Sequence, residues 1–351
     1  PVDVPSFEDK PNWFSHVAEE CTAIRERAVL IDQTSFAKFE ITGKGTEAVL
    51  QHIAANDLSG PPGKAVYTQL CNERGGIEAD VTLVHVGPDH FYLITGSGFG
   101  VRDSGWVAKH LPASVHIREI TNALAVINIC GPRAREILQS VTDRDISNAA
   151  FPFLTARHID VGHATVLAVR IGYVGELGYE LYIPQEFGAH VYDTLWAAGQ
   201  VDGIANAGYR AIDSCRMEKG YLYWSGDISP DYNPYEAGLG FCVALNKGDF
   251  IGRDALVKIK TEGVSRKLCS FTIDGFAPLH GGETILRGGK VLGSTTSVGY
   301  GHTLAKTVAF GYLPADVAGL KDFVIEAFSK KYDAKRGARC LYDAKMERLK
   351  A

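Results

Sequence analysis

The chain of 351 residues carries 36 basic and 41 acidic side chains, a net charge of −5, and 46% of its residues are hydrophobic. This composition is typical of a globular protein of roughly two to three domains, and it excludes the strongly basic surface that nucleic-acid binding requires. No window of about 18 consecutive apolar residues occurs, so no membrane-spanning helix is expected.

The seven cysteines are scattered along the chain and contain no CxxC pair. Such a set favours free thiols in a reducing compartment over a disulfide framework or a zinc site. We therefore expect a cytoplasmic protein, or one of the mitochondrial matrix if the source is eukaryotic. The N-terminal residues Pro-Val-Asp-Val-Pro lack the features of a signal peptide, and the missing initiator Met indicates a fragment or a processed chain.

Short helices alternate with strand hairpins as far as residue 219. The predicted helices are 12–27, 46–55, 103–111, 132–141, 185–198 and 209–219. The predicted strands are 36–42, 65–71, 77–86, 91–95, 123–130 and 158–171. This alternation favours an α+β fold over a doubly wound parallel sheet, and it restarts near residue 120.

The pattern changes after residue 262, where strands and glycine-rich turns follow without a predicted helix. Strands are predicted at 283–286, 291–297 and 323–328, and a helix at 252–259 precedes them. We therefore predict a region 1–262 of two α+β halves with a boundary near 120, and a small all-β barrel domain at 263–351.

Residues 96–100 read Gly-Ser-Gly-Phe-Gly between a predicted strand and a predicted helix. The third glycine of a dinucleotide-binding loop would fall at position 101, which is Val, and no acidic residue follows at the expected distance. We interpret the segment as a tight turn and expect no FAD or NAD site. The eleven histidines do not fall at metal-ligand spacing on one helix face, so no metal site is expected either.

Asp80 lies in the otherwise apolar strand 77–86, shortly after the turn Gly75-Gly76. A carboxylate there costs free energy unless it is hydrogen-bonded or lies at the rim of the sheet. The residues allow two interpretations: a surface aspartate beside a turn, or a partly buried general acid or base whose pKa is shifted by desolvation.

The segment 170–182 reads R-I-G-Y-V-G-E-L-G-Y-E-L-Y. Its three glycines interrupt a strand and would let the backbone approach a ligand. Glu176 and Glu180 supply carboxylates that can accept two parallel hydrogen bonds from a heterocycle such as a pterin. Flat rings come from Tyr173, Tyr179 and Tyr182. A glycine-rich hairpin with solvated glutamates is the alternative.

A third segment, 211–240, is a predicted helix with Arg216 and Glu218 that runs into an aromatic loop. Loops of this kind usually line a binding site, and packing between domains is the alternative. The aromatic residues of the loop include Tyr221, Tyr223 and Trp224.

Together these segments resemble the aminomethyltransferase superfamily, which includes the glycine-cleavage T protein. The resemblance covers nearly the whole chain and is greatest to the C-terminal folate module of dimethylglycine and sarcosine dehydrogenases and oxidases. The motifs that carry it are Y-V-G-E-L-G-Y-E at 173–180, M-E-K-G-Y at 217–221, P-Y-E-A-G-L-G-F at 234–241, K-G-D-F-I-G-R-D-A-L at 247–256, T-T-S-V-G-Y-G-H at 295–302 and A-F-G-Y-L-P at 309–314.

The resemblance implies three compact subdomains around a central folate pocket, ending in a β-barrel. Asp80 matches the family's catalytic aspartate, and Tyr67 matches a tyrosine of the pocket. Tyr173 and Glu180 match the pair that holds the pterin, and Tyr221 matches a further aromatic residue of the pocket.

The chain also departs from parts of the superfamily. Ala79 precedes Asp80 where the glycine-cleavage protein has adjacent aspartates, and Ile212 replaces an arginine of that protein. Tyr221 follows Lys219-Gly220 where related iron–sulfur assembly factors have cysteine. These departures disfavour glycine cleavage with a lipoyl carrier, and they disfavour iron–sulfur assembly.

The resemblance therefore implies a tetrahydrofolate-dependent one-carbon transferase. A flavin-dependent dehydrogenase domain or subunit would oxidise a methylated amine such as dimethylglycine or sarcosine. The iminium or formaldehyde carbon would then pass to tetrahydrofolate and give 5,10-methylenetetrahydrofolate. Two alternatives stay open: a demethylase that gives 5-methyltetrahydrofolate, and a non-catalytic folate-binding regulatory module.

Overall fold

Helices and strands alternate up to residue 262 and strands follow, over the residues 8–351 that the computed structural model describes. The α-helices are α1 (Phe14–Glu26), α2 (Thr46–Ile53), α3 (Gly100–Ala108), α4 (Ala134–Gln139), α5 (Gly188–Gly199), α6 (Tyr209–Lys219) and α7 (Arg253–Glu262). None of the helices in this part of the chain has the length and hydropathy needed to cross a bilayer.

The strands form two open sheets and one closed barrel. The strands of the open sheets are β1 (Val29–Asp32), β2 (Ala37–Gly43), β3 (Ala65–Cys71), β4 (Ile77–Gly87), β5 (His90–Thr95), β6 (Val115–Glu119), β7 (Leu124–Cys130), β8 (Ala156–Val161), β9 (Ala164–Val169), β10 (Gly178–Pro184) and β11 (Ala205–Asn206). Those of the barrel are β12 (Arg266–Asp274), β13 (Thr284–Arg287), β14 (Lys290–Gly301), β15 (Lys306–Pro314), β16 (Asp322–Ala327) and β17 (Lys330–Gly337).

The six-stranded sheet combines a strand from the start of the N-terminal region with strands from its second half. The six-stranded sheet has the order β11-β1-β7-β10-β9-β8, and the five-stranded sheet has the order β3-β4-β5-β2-β6. β1 precedes residue 120 yet pairs with β7, which follows it. The sheets therefore do not divide the chain at one point, and the domain limits at 120 and 262 stay predictions.

One face of each open sheet is turned toward the other sheet. Val84 and Ile94 of the five-stranded sheet belong to the same buried cluster as Val126 and Tyr182 of the six-stranded sheet. Because side chains alternate along a strand, Asp80 lies on the face of Val84, and Glu180 lies on the face of Tyr182. The two acids thus lie on the two facing surfaces, which we call the inter-sheet faces.

The barrel closes because β12 pairs with β17 as well as with β15. Its order is β12-β15-β14-β13-β16-β17, around a core that includes Phe271 and Phe323. Helix α6 packs on the outside of β14, where the Ser214 hydroxyl donates a hydrogen bond of 2.8 Å to the Tyr300 carbonyl oxygen. The predicted α+β fold with a terminal barrel is confirmed.

One predicted helix was wrong in position. α3 was predicted at 103–111 but begins at Gly100, because the turn after β5 closes at once with a hydrogen bond from Phe99 N–H to the Gly96 carbonyl oxygen. In the segment 170–182, where glycines were predicted to interrupt a strand, β9 ends at Val169 and β10 begins at Gly178, and Glu176 in the turn between them is held by ion pairs. The short strands β1, β6 and β11 were not predicted.

A buried ion cluster joins α1, α6 and the turn before β10. Arg25 pairs with Glu176 at 3.2 Å and with Glu218 at 2.8 Å, and the two carboxylates are 1% and 0% exposed. The guanidinium also lies 4.0 Å above the Tyr342 ring, and Arg348 pairs with Glu176 at 2.9 Å. Charges this deeply buried are stable only while each keeps its partners.

Arg25→Met should lower the free energy of unfolding by about 3–5 kcal/mol, because it leaves two buried carboxylates without their shared cation. Arg133→Met is the matched control, since Arg133 also pairs with two carboxylates but is 48% exposed. It should cost about 1 kcal/mol or less. Equal losses of unfolding free energy in the two variants, measured by chemical denaturation, would show that the buried Arg25 cluster constrains the fold no more than the exposed Arg133 pairs.

Candidate functional site

Asp80 is part of a polar patch on the inter-sheet face of β3 and β4. In the antiparallel pairing of these strands, Gln69 lies opposite Asp80 and Tyr67 lies opposite Thr82. Opposite residues of an antiparallel pair project from the same face of a sheet. Tyr67, Gln69 and Asp80 are therefore neighbours, and Tyr67 and Asp80 are each partly accessible to solvent.

The surroundings of Asp80 give it a pKa suited to proton transfer. Burial disfavours its charged form and raises the pKa to about 6, while hydrogen bonds from Gln69 and Tyr67 act in the opposite direction. The Gln69 Nε2 donates to Asp80 Oδ1 at 2.8 Å. The charge of Asp103 raises the pKa further, and that of Arg339 lowers it. A carboxylate that titrates close to neutral pH can accept and release a proton at that pH.

Two tyrosine rings from distant segments lie next to this patch. Tyr173 and Tyr221 stack with their centroids 5.6 Å apart and an angle of 11° between the rings. Burial raises the pKa of the Tyr173 hydroxyl, and the charge of Asp80 adds to the rise. The Tyr67 hydroxyl has its pKa raised by burial, then by Asp80, and also by Tyr173. The structure thus brings four of the five predicted site residues together.

The position of Tyr221 depends on the glycine that ends α6. Gly220 has a φ of +78°, in the left-handed region that glycine adopts without strain. A side chain there would also meet the Arg339 carbonyl oxygen at 2.5 Å from its Cβ. The helix can therefore stop and turn Tyr221 toward Tyr173 only because residue 220 is glycine.

Glu180, the fifth predicted residue, lies on the inter-sheet face of β10. It accepts a hydrogen bond of 2.8 Å from the Tyr182 hydroxyl, and burial raises its pKa to about 7. Asn128 lies directly opposite on β7 and is 2% exposed. Its Oδ1 has no hydrogen-bond partner among the described residues. Glu180 and Asn128 thus present neighbouring acceptor atoms.

The structure separates two of the side chains that the sequence had grouped with Glu180. Glu176 belongs to the buried ion cluster, where Arg25, Arg348 and Tyr342 engage its oxygens. Tyr179 points to the opposite face of β10 and packs in the core behind the six-stranded sheet. Neither residue faces the Asp80 side of the sheets.

Three polar residues of this region were not predicted from the sequence. The two-residue spacing from Tyr67 to Gln69 could have placed Gln69 beside Asp80, because residues i and i+2 share a face. Asn128 and Arg339 carried no comparable signal. Arg339 lies beyond the barrel in sequence, and it donates hydrogen bonds to the Gly220 and Gly238 carbonyl oxygens at 2.8 Å each.

Two surface concavities lie away from the five predicted site residues. A surface concavity of about 680 Å³ lies between residues 61–64 and 155–158 and contains none of the five predicted site residues. Within residues 8–351, no group of three or more His, Cys, Asp or Glu side chains could hold a metal ion. Residues 96–100 connect β5 to α3, and β5 pairs antiparallel with both neighbours.

Comparison with protein families agrees with the fold. The GCVT N-terminal domain matches residues 3–247, and the glycine cleavage T-protein C-terminal barrel domain matches residues 266–343. The chain belongs to the glycine cleavage T-protein family. This family of aminomethyltransferases consists of folate-dependent enzymes.

Several relatives are longer than this T-protein family member. It is 38% identical over 97% of its length to the 4-methylaminobutanoate oxidase (formaldehyde-forming) of Paenarthrobacter nicotinovorans, and covers 42% of that protein. It is 37% identical over 94% of its length to the mitochondrial dimethylglycine dehydrogenase of Rattus norvegicus, and covers 39% of it. The chain therefore spans about two fifths of these relatives.

Two further matches bear on fold and function. The chain is 38% identical over 87% of its length to the mitochondrial pyruvate dehydrogenase phosphatase regulatory subunit of Mus musculus, and covers 36% of it. The aminomethyltransferase T of the glycine cleavage system from Bartonella henselae superposes with a TM-score of 0.83. That match has 23% identity and covers 93% of this chain and 89% of the other, and it shows the shared fold.

Asp80→Asn should raise the free energy of unfolding at pH 8 by about 1–3 kcal/mol. The pKa of Asp80 is raised from 3.8 to about 6. The neutral acid therefore contributes its full stability below pH 4, and this stability is lost as the pH rises through 6. Asparagine stays neutral, so the gain should be present at pH 8 and absent at pH 4.

The measurement is chemical denaturation of the folate-free protein at both pH values. Asp249→Asn is the control, because Asp249 is 82% exposed and should change stability by less than about 0.5 kcal/mol. An Asp80→Asn variant with no gain at pH 8 would contradict the partly buried, raised-pKa environment of this carboxylate.

Proposed function

We propose that this chain transfers a carbon from an oxidised N-methyl amine, of the dimethylglycine or sarcosine type, to tetrahydrofolate and gives 5,10-methylenetetrahydrofolate. The observation that carries this proposal is Asp80, a carboxylate with a pKa of about 6 that is hydrogen-bonded to Gln69 and close to Tyr67 on an inter-sheet face. A role in binding alone would not need a proton acceptor tuned in this way.

The side chains around Asp80 and Glu180 fit a reduced pterin. A pterin edge presents several N–H donors, which match the carboxylate of Glu180 and the unpartnered Oδ1 of Asn128. An acceptor left unpaired in a buried position costs about 1–3 kcal/mol, and a bound donor would remove that cost. The stacked rings of Tyr173 and Tyr221 supply the flat apolar surface that a heterocycle needs.

Asp80 is the proposed general base. Tetrahydrofolate, when bound, supplies the nucleophilic nitrogen that accepts the carbon. Asp80 takes the proton that this nitrogen sheds and can later release it to water, because its pKa lies close to neutral pH. Glu180, Asn128 and the tyrosines hold the heterocycle in place, so that proton removal needs no further reorientation.

The oxidation of the amine is assigned to a flavin-dependent dehydrogenase domain or subunit. The relatives named as oxidase and dehydrogenase are more than twice the length of this chain, which supports a separate oxidising part in those proteins. The carbon would reach the site as an iminium or as formaldehyde. Mitochondrial relatives are consistent with a mitochondrial matrix location in a eukaryote, and a cytoplasmic location stays the prediction otherwise.

A non-catalytic regulatory role is the second candidate, because one relative is named as a regulatory subunit. A module of that kind would need a surface that binds folate or a protein, but it would not need a general base with a shifted pKa. The presence of Asp80, Tyr173 and Glu180 on and near the inter-sheet faces supports the transferase instead. The two candidates differ in whether the rate of carbon transfer to tetrahydrofolate depends on Asp80.

Glu180→Gln should weaken tetrahydrofolate binding by about 2–5 kcal/mol, because an acceptor becomes a donor that faces a donor. In the unchanged protein, affinity should fall as the pH drops below about 7, where Glu180 gains a proton. This pH dependence should be lost in the variant. Calorimetric titration between pH 5.5 and 8 measures both effects.

The exposed Glu186 provides the control, and Glu186→Gln should keep the affinity and its pH dependence. Equal affinity of the Glu180→Gln and unchanged proteins would place Glu180 outside the binding site. No binding by the unchanged protein would reject the folate proposal as a whole.

Asp80→Asn should lower turnover by roughly 10²–10⁴-fold, the usual contribution of a positioned general base. Folate affinity should fall much less, because Glu180 and the tyrosines still hold the heterocycle. The carbon must be supplied by an oxidising dehydrogenase, and the uncatalysed reaction of formaldehyde must be subtracted. Asp249→Asn again serves as control, and a normal rate in Asp80→Asn would favour the regulatory module.

A further inference from the structure

The side-chain amide of Gln69 has unusual surroundings for a glutamine inside a sheet. It is completely buried, and its Nε2 donates to Asp80 Oδ1 at 2.8 Å. Its Oε1 is also buried and has no hydrogen-bond partner among residues 8–351. The Nε2 end of the amide is therefore hydrogen-bonded to Asp80, and the Oε1 end has no hydrogen bond within residues 8–351.

An unsatisfied buried oxygen is unfavourable, since buried polar atoms in folded proteins nearly always have partners. An apolar side chain of similar volume at position 69 would avoid that cost. The amide thus gives up stability, and the contacts that it makes in return are the bond to Asp80 and a weaker one to the Cys242 thiol. A role in packing alone does not explain this arrangement.

The backbone makes the contact rigid. Gln69 and Asp80 are opposite residues of the antiparallel pair β3–β4, so their Cα atoms are held by the ladder and not by a loop. The bond from Gln69 engages Oδ1, and Oδ2 is the oxygen that Gln69 leaves for another proton donor. The orientation of the carboxylate plane is thereby restricted.

We infer that Gln69 is a positioning residue for Asp80: its amide orients the carboxylate and favours the ionised form that proton removal requires. This inference rests on the proposed function, because it takes Asp80 as the proton acceptor. It extends that function by assigning a group that orients Asp80 and opposes the effect of burial on its pKa.

The unsatisfied Oε1 has a use in the other protonation state. An amide carries a donor and an acceptor, so a rotation of the Gln69 amide can place Oε1 against a protonated Asp80 and accept its hydrogen. Gln69 can then support Asp80 both before and after it takes a proton. A lysine or arginine at this position could only favour the ionised form.

Several charged or titratable groups surround Asp80 and contribute to its pKa. They are Tyr67, Asp103, Tyr173, Cys242 and Arg339. Burial raises the pKa of Asp80 most, and the hydrogen bond from Gln69 opposes it before Tyr67 and Arg339 do. Removal of the Gln69 donor should therefore move the pKa of Asp80 upward.

The test compares Gln69→Met with the unchanged protein by two measurements. The pKa of Asp80 is followed by carbon NMR of carboxyl-labelled aspartate in the folate-free protein, with Asp80→Asn used to assign the signal. The acid limb of the pH–rate profile is followed in the transferase assay. The pKa of Asp80 and the midpoint of the acid limb should both move up by about one pH unit in Gln69→Met. The transfer rate at pH 6 should therefore fall several-fold more than the transfer rate at pH 8.5.

Gln51→Met is the matched control, because Gln51 Nε2 makes the same kind of bond to Asp57 Oδ1, at 2.7 Å, outside the site. It should leave the Asp80 pKa and the acid limb unchanged. Gln69→Glu keeps the shape of the side chain if the methionine variant does not fold. Its second carboxyl group would share a proton with Asp80 and should raise the apparent pKa at least as far.

The outcomes are distinct for the two proposals. An upward shift of the Asp80 signal in a protein without transferase activity would show that Gln69 stabilises the ionised form of Asp80, and the missing activity would reject the proposed function. Transferase activity with an unmoved Asp80 signal and an unmoved acid limb in both Gln69 variants would overturn the assignment, even if the variants were less stable. A shift of the same size in Gln51→Met would overturn it as well.

Discussion

The pairing of Arg25 with two buried carboxylates is the interaction on which the arrangement of the site depends. Glu176 lies three residues after Tyr173, and Glu218 lies three residues before Tyr221, so the two stacked rings are carried by the segments that Arg25 ties together. The backbone N–H groups of Leu341 and Tyr342 bond to the Glu218 carbonyl oxygen and bring the C-terminal segment to the same place. Buried ion pairs contribute little net stability, but they strongly disfavour arrangements in which a partner is missing.

The polar groups on the inter-sheet faces lower the stability of the folate-free protein. Asp80 and Glu180 both have raised pKa values because burial disfavours their charges, and Gln69 and Asn128 each leave one oxygen unpaired. A protein selected for stability alone would fill such positions with apolar side chains. The concentration of four unfavourable polar groups on two facing surfaces is typical of a site that is completed by its ligand.

The sequence predicted the local features of the fold and site better than the long-range ones. Tyr67 and Asp80 lie on the same face of a hairpin with a Gly-Gly turn, in which Gln69 is opposite Asp80 and Tyr67 is opposite Thr82. The roles of Glu176 and Glu180 could not be distinguished, because their difference depends on Arg25, about 150 residues away. Arg339 is brought to the region by the barrel, and Asn128 is brought there by β7. No local sequence pattern predicts either contact.

The central claim is that an already oxidised carbon, and not an intact methyl group, reaches the folate. It is tested most directly by supplying an N-trideuteromethyl amine to this protein together with an oxidising dehydrogenase and tetrahydrofolate. Oxidation of the methyl group to an iminium removes one deuterium, so the account predicts a methylene product that retains two, as measured by mass spectrometry. A methyl product that retains all three deuterium atoms would contradict it.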